Sequence, residues 1–133
     1  MVPFKVKFSP GQSIFDQVVF AAIKSILAGE LKAGEPFPSV RTLALDLKIH
    51  PNTAHKVVQH LGEQGWLVVQ PKMGTVVAQP PKARAADRKR VLEHDVEKLV
   101  VDAIRVGASV TEVKQAVESA FIDLRGLKAI ANE

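Results

Sequence analysis

Residues 38–65 read PSVRTLALDLKIHPNTAHKVVQHLGEQG. Apolar residues recur at helical spacing twice in this stretch, first at Val40, Leu43, Ala44 and Leu47, then at Ala54, Val57, Val58 and Leu61. Lys48-Ile49-His50 separates the two runs by a tight turn. Ser39 is a good N-cap for the first helix, because its hydroxyl can accept a backbone N–H that a helix start leaves unpaired. Pro51 suits the first position of the second helix, where a backbone N–H would have no helical partner. The pattern predicts a helix-turn-helix whose second helix ends near Gly65. The flanking segments must then cover its apolar faces and leave the start of that second helix accessible.

Upstream, Pro3, Pro10 and Gly11 predict an extended or irregular segment over residues 1–12. Ser13, with Asp16 three residues on, predicts a capped helix start. Ile14, Phe15, Val18, Val19, Ala22, Ile23, Ile26 and Leu27 then form a wide stripe that packs under the helix-turn-helix, and Gly29 stops the helix. The stretch GELKAGEPFPS is expected to be a loop anchored in the core by Leu31 and Phe37. Downstream, WLVVQ (66–70) and TVVA (75–78) are strand-like and flank a short PKMG loop, which predicts a β-hairpin. Helix, helix, turn, helix, hairpin is the order of a winged helix, and it accounts for residues 13–79.

Residues 80–87, PPKARAAD, read as a linker. A helix is expected from about Asp87 to Val106, with Leu92, Val96, Leu99, Ala103 and Val106 near heptad spacing and Val91, Val100 and Ile104 widening the stripe. Gly107 stops it. Ser109 and Glu112 form a capping box for a last helix with Val110, Val113, Ala116, Val117, Ala120, Phe121 and Leu124 as its apolar positions. Gly126 is expected to end that helix, and residues 127–133 to fray. The expected fold is mainly α with a small β-hairpin: an N-terminal winged helix-turn-helix DNA-binding domain over 1–79, a linker over 80–87, and a two-helix C-terminal dimerisation segment over 88–133. A two-helix hairpin buries little surface by itself. A second copy of the chain would cover it, with Leu92, Val96, Leu99, Ala103, Val113, Val117 and Phe121 at the interface. The alternative is that both helices fold back on their own domain.

A helix-turn-helix places the start of its second helix at base edges, while the preceding helix and the wing touch backbone. Asn52 can donate and accept at an adenine edge or bind a phosphate. Thr53 offers a hydroxyl to phosphate or a methyl to thymine, and His55 and Lys56 lie one turn further on. Arg41, in the first turn of the preceding helix, can clamp backbone with Ser39 or reach a guanine through its planar fork. Lys72, Gly74 and Thr75 sit at the wing tip, where lysine supplies charge and glycine permits a close backbone approach. The net charge of +4 is consistent with a double-stranded DNA partner. Asn52 and Thr53 can also be read as satisfying a helix start, and Lys32 and Lys48 as ordinary surface lysines.

Other classes of function find little support. The chain has no cysteine, which excludes disulfides, thiolate metal sites and a Cys nucleophile. His50, His55, His60 and His94 lack metal-ligand spacing, and no phosphate-cradling glycine loop is present. No cofactor or metal is expected, and no enzymatic activity. No apolar run approaches the roughly 18 residues that span a bilayer, and the N-terminus lacks a signal peptide's apolar core. A cytoplasmic protein without membrane contact is expected. A winged-helix protein-interaction module, with the C-terminal helices as its working surface, is the alternative to DNA binding.

The segment GELKAGEPFPSVRTLA (29–44) resembles the GntR family of bacterial transcription regulators, whose pattern is G-x-L-x-x-G-x-x-L-P-S-x-R-x-L-A. Phe37 replaces the usual leucine. The match continues through Ile49, Asn52, Thr53, Leu61, Gly65 and Gly74-Thr75-Val76-Val77. Pro51 stands where many members have arginine, and His50 where asparagine is common. The start I-H-P-N-T-A is similar to the V-N-P-N-T-V of the YtrA subfamily, which also ends in a short two-helix segment. The resemblance implies a homodimeric repressor that binds an inverted repeat, often controlling transporter genes. It also implies that Ser39, Arg41, Asn52, Thr53, Lys72 and Gly74 carry the DNA contacts, with His55 and Lys56 setting sequence preference. A small-molecule effector would have to bind at the dimer interface or beside the linker, and no residue pattern picks out such a site.

Overall fold

Ser13, Ser39 and His50 each start a helix by accepting a backbone N–H with the side chain. In the computed structural model, which describes residues 2–131 and side chains as far as Arg125, Ser13 Oγ accepts the Asp16 N–H at 3.0 Å and opens α1 (Ile14–Leu27). Ser39 Oγ accepts the Thr42 N–H at 3.1 Å and opens α2 (Val40–Leu47). His50 Nδ1 accepts the Asn52 N–H at 3.0 Å and opens α3 (Pro51–Glu63), with Pro51 in the first helical position. An imidazole nitrogen thus serves as the helix cap here.

The turn between α2 and α3 is tight because Lys48 adopts the left-handed conformation, φ 55° and ψ 47°. That conformation costs a non-glycine residue about 1 kcal/mol or more. Two features hold it. The Ile49 N–H donates to the Ala44 carbonyl at 3.1 Å, and the Ile49 side chain is buried in the core. Ile49, placed by the sequence in a turn, is therefore a core residue.

The core joins Val18, Ala22 and Ile26 of α1, Leu43 and Ala44 of α2, and Ala54, Val57 and Leu61 of α3, closed by Leu31, Phe37, Leu67 and Val77. The wing follows as β1 (Leu67–Gln70) and β2 (Gly74–Val77), antiparallel, in a register that pairs Leu67 with Val77 and Gln70 with Gly74. Gly74 takes a φ of 77° at the end of the turn, a conformation that suits glycine.

Two non-local features were not legible in the sequence. The segment before α2 is more than a loop. Phe37 N–H donates to the Thr75 carbonyl, Val77 N–H to the Glu35 carbonyl, and Gly34 N–H to the Val77 carbonyl, at 2.8–3.0 Å. This third line of pairing ties the wing to the entry of α2. The irregular N-terminal segment is likewise pinned: Phe4 is buried and its ring stacks on Phe37 at 6.1 Å between centroids, and Val2 N–H donates to Asp46 at 2.8 Å.

The chain divides into two compact units, 1–81 and 82–133. In the second, helix begins earlier than expected, at α4 (Ala85–Lys89), and continues through a π-helical segment, Arg90–Asp95, into α5 (Val96–Arg105). The wider winding of the π segment shifts the phase of Val91 and Leu92 against Val96 and Leu99, so the heptad spacing is not one straight seam. Gly107, with φ 80°, ends α5. The capping box is present in full: Glu112 N–H donates to Ser109 Oγ at 3.1 Å, and Ser109 N–H to Glu112 Oε1 at 2.9 Å. The last helix, α6 (Val110–Ala131), passes through Gly126, where a stop was expected. A glycine inside a helix weakens it by about 1 kcal/mol relative to alanine without having to end it. Fraying is expected over 127–133, but α6 continues to Ala131, and residues 132–133 lie outside the described residues.

The tethers and caps can be probed separately. Phe4→Ala should destabilise the winged helix by about 3 kcal/mol in chemical denaturation, as a buried aromatic does when truncated. The cap to probe is the Ser109 box, whose backbone and hydroxyl hydrogen bonds hold the Glu112 carboxyl below its ordinary value. A lowered pKa in the folded state adds stability above the ordinary glutamate range, and that stability is lost as pH falls through the lowered value. Ser109→Ala should move the Glu112 pKa back toward the ordinary value in an NMR titration.

Candidate nucleic-acid interface

α3 is sharply two-faced. Ala54, Val57 and Leu61 are fully buried. Asn52, His55 and Lys56 are exposed, and Thr53 is half-buried. Packing against α1 and α2 fixes the helix from behind and leaves its first two turns free on the outer side. This is the arrangement a reading helix needs, because base edges can be reached only by side chains that the core does not use.

The His50 cap constrains the chemistry at the helix tip. With Nδ1 accepting the Asn52 N–H, the neutral imidazole carries its proton on Nε2. Pro51 brings no N–H and no charge to the tip. The polar groups available there are the Asn52 amide, the Thr53 hydroxyl and the imidazole itself. Charge enters one turn on, at Lys56.

Arg41, on α2, is exposed and shares a surface depression of about 430 Å³ with Pro51, Val40, Ala44 and Leu45. The structure thereby brings Arg41 beside the start of α3. Ser39 sits next to it, but its hydroxyl is engaged within α2, accepting from Thr42 N–H and donating to Thr42 Oγ1 at 3.0 Å. Lys72 and Gly74 are exposed and Thr75 half-buried; they form a second patch at the wing tip. His60 packs edge-on against Phe15, with 5.3 Å between ring centroids.

In the helical hairpin Leu92, Val96, Leu99, Val117 and Phe121 are exposed and Val113 half-buried, whereas Ala103 is already buried within one chain. A groove of about 560 Å³ between α5 and α6 is lined by Leu99, Ala103, Val106, Val113, Val117 and Ala120. No helix among the described residues is long and apolar enough to cross a membrane.

A helix-turn-helix with a polar, basic reading face and a two-stranded wing defines a winged-helix DNA-binding transcription regulator. Residues 16–77 match the model of the gntR family of bacterial regulatory proteins. The similarity extends beyond the domain. The chain is 25% identical over 116 residues to the HTH-type transcriptional repressor YtrA of Bacillus subtilis, covering 86% of this chain and 89% of that one. Among solved structures it is similar to YtrA from Sulfolobus acidocaldarius, a GntR-family transcription factor, with a TM-score of 0.51 and 26% identity over 90% of this chain and 97% of that one. A Listeria monocytogenes protein described as a transcriptional antiterminator shares the fold, with a TM-score of 0.77 over 91% of each chain at 22% identity.

Proposed function

We propose that this regulator is a cytoplasmic homodimeric repressor that binds an inverted-repeat operator, each protomer reading one half-site. The observation that supports the pairing is the apolar face left by the hairpin: Leu92, Leu99, Ile104, Val117 and Phe121 are each 40% or more exposed in a single chain. Exposed apolar area of this extent marks an interaction surface. A second copy of the hairpin covers it with the same residues, as a two-fold interface requires. The similarity to the repressor YtrA over most of both chains supports repression as the mode of control.

Within each half-site, Asn52, Thr53 and His55 meet base edges. Lys56, Lys72, Gly74 and Thr75 hold the phosphate backbone, and Ser39 shapes the helix that presents Arg41. Pro51 shifts the reading from the helix tip toward Asn52 and the residues a turn later.

Arg41→Ala should weaken operator binding by more than about 1 kcal/mol, the size of a good side-chain contact. A gel-shift titration measures this, and unchanged affinity would remove Arg41 from the contact set. Lys72→Ala should weaken all sequences alike and flatten the dependence of log affinity on log salt by about one.

A further inference from the structure

The charge of the chain is unevenly placed. Residues 1–80 carry eight Lys/Arg and five Asp/Glu, residues 81–90 five and one, and residues 91–133 five and eight. Residues 81–90 therefore hold a net +4, against +3 for residues 1–80 and −3 for residues 91–133. Lys82, Arg84, Arg88, Lys89 and Arg90 are all exposed.

The position of Arg84 works against α4, and so does its spacing to Arg88, although Arg88 and Lys89 lie in the last turn of that helix. Arg84 is the N-cap of α4 and makes no side-chain capping bond. Cations there face the positive end of the helix macrodipole. Arg84 and Arg88 are one turn apart, a like-charge spacing that disfavours the helix. Asp87 is the single acidic residue within the cluster. Local choices that oppose the fold point to a function that needs them, and these charges are relieved by a polyanion.

The cluster starts close to the DNA-binding unit. Ala78 N–H donates to the Trp66 carbonyl at 2.9 Å. Pro81 packs against Gly65, 3.4 Å from where a Cβ on that glycine would lie. The chain is thus held to the foot of α3 up to Pro81, and Lys82 follows directly. Three residues, 82–84, lead into helix from Ala85, so residues 82–90 reach about 20 Å along the chain, comparable to the width of a duplex.

We propose that Lys82, Arg84, Arg88, Lys89 and Arg90 form a second DNA contact, gripping phosphates beside the sequence that α3 reads. The inference rests on the winged helix being the DNA-binding unit. The contact is with backbone and carries no sequence information. Arginine forks and lysine ammonium groups both suit phosphate oxygens. Its effect is therefore a higher affinity for every duplex and a steeper salt dependence.

The test uses the full chain carrying Arg84→Gln, Arg88→Gln and Lys89→Gln together, with Lys72→Ala as a separate variant. Each is titrated by fluorescence anisotropy against a duplex of random sequence over a range of salt, and each is melted thermally. The triple variant should bind about tenfold or more weakly at low salt, with a log–log salt slope shallower by about two to three per bound protomer. Its melting temperature should stay the same or rise. An unchanged slope in the triple variant, alongside a flattened one in Lys72→Ala, overturns the linker contact and leaves the wing in place. The reverse pattern removes the wing contact and supports the linker. A lower melting temperature also overturns the proposal, because the charges would then be serving the helix.

Discussion

The winged helix depends on the burial of one face of α3. Ala54, Val57 and Leu61 lose all their accessible surface to α1, α2 and the base of the wing. Side chains of this size each contribute about 1–3 kcal/mol when fully buried, less for alanine. With the inner face committed in this way, rotation of α3 about its own axis would expose the core. The outer residues, Asn52, His55 and Lys56, are therefore presented in a fixed phase. Contacts that look remote from DNA serve the same end. Phe37 ties α2's entry to β2, and Phe4 covers Phe37.

Much of this was legible in the sequence because it is local. A cap needs a hydroxyl and an N–H three residues away, and Ser13, Ser39 and the Ser109–Glu112 box all formed as spacing predicts. The apolar faces of α2 and α3 followed from helical periodicity. What escaped was set by distant partners. The pairing of residues 34–37 with β2 has no periodicity of its own over so short a span, and a proline-rich stretch reads as loop. Phe4 sits in a segment broken by prolines, and its burial depends on Phe37, far along the chain. The π segment has no sequence signature comparable to a cap, and Gly126 shows that a glycine weakens a helix without necessarily ending it. The candidate DNA residues were legible by type and position. The side-chain role of His50 as the α3 cap was not, because histidine is not among the usual capping residues.

The two units divide the work by surface chemistry. The winged helix keeps its apolar residues inside and shows polar and basic groups at the reading helix and the wing. The hairpin does the opposite: among its described side chains Ala103 is the buried apolar one, while Leu99, Val117 and Phe121 remain open. In the proposed dimer a second copy would close the hairpin, and that pairing would give two reading helices related by a two-fold axis. The match to the gntR family model, residues 16–77, falls within the first unit.

Paired copies of α3 are proposed to read a two-fold symmetric site. Selection of bound duplexes from a random pool, with the intact chain as bait, tests it most directly. An inverted repeat whose half-sites are separated by about one helical turn, roughly 10 bp, or a multiple of it, should be enriched. Enrichment of a lone half-site or a direct repeat, or no enrichment at low salt, would contradict it.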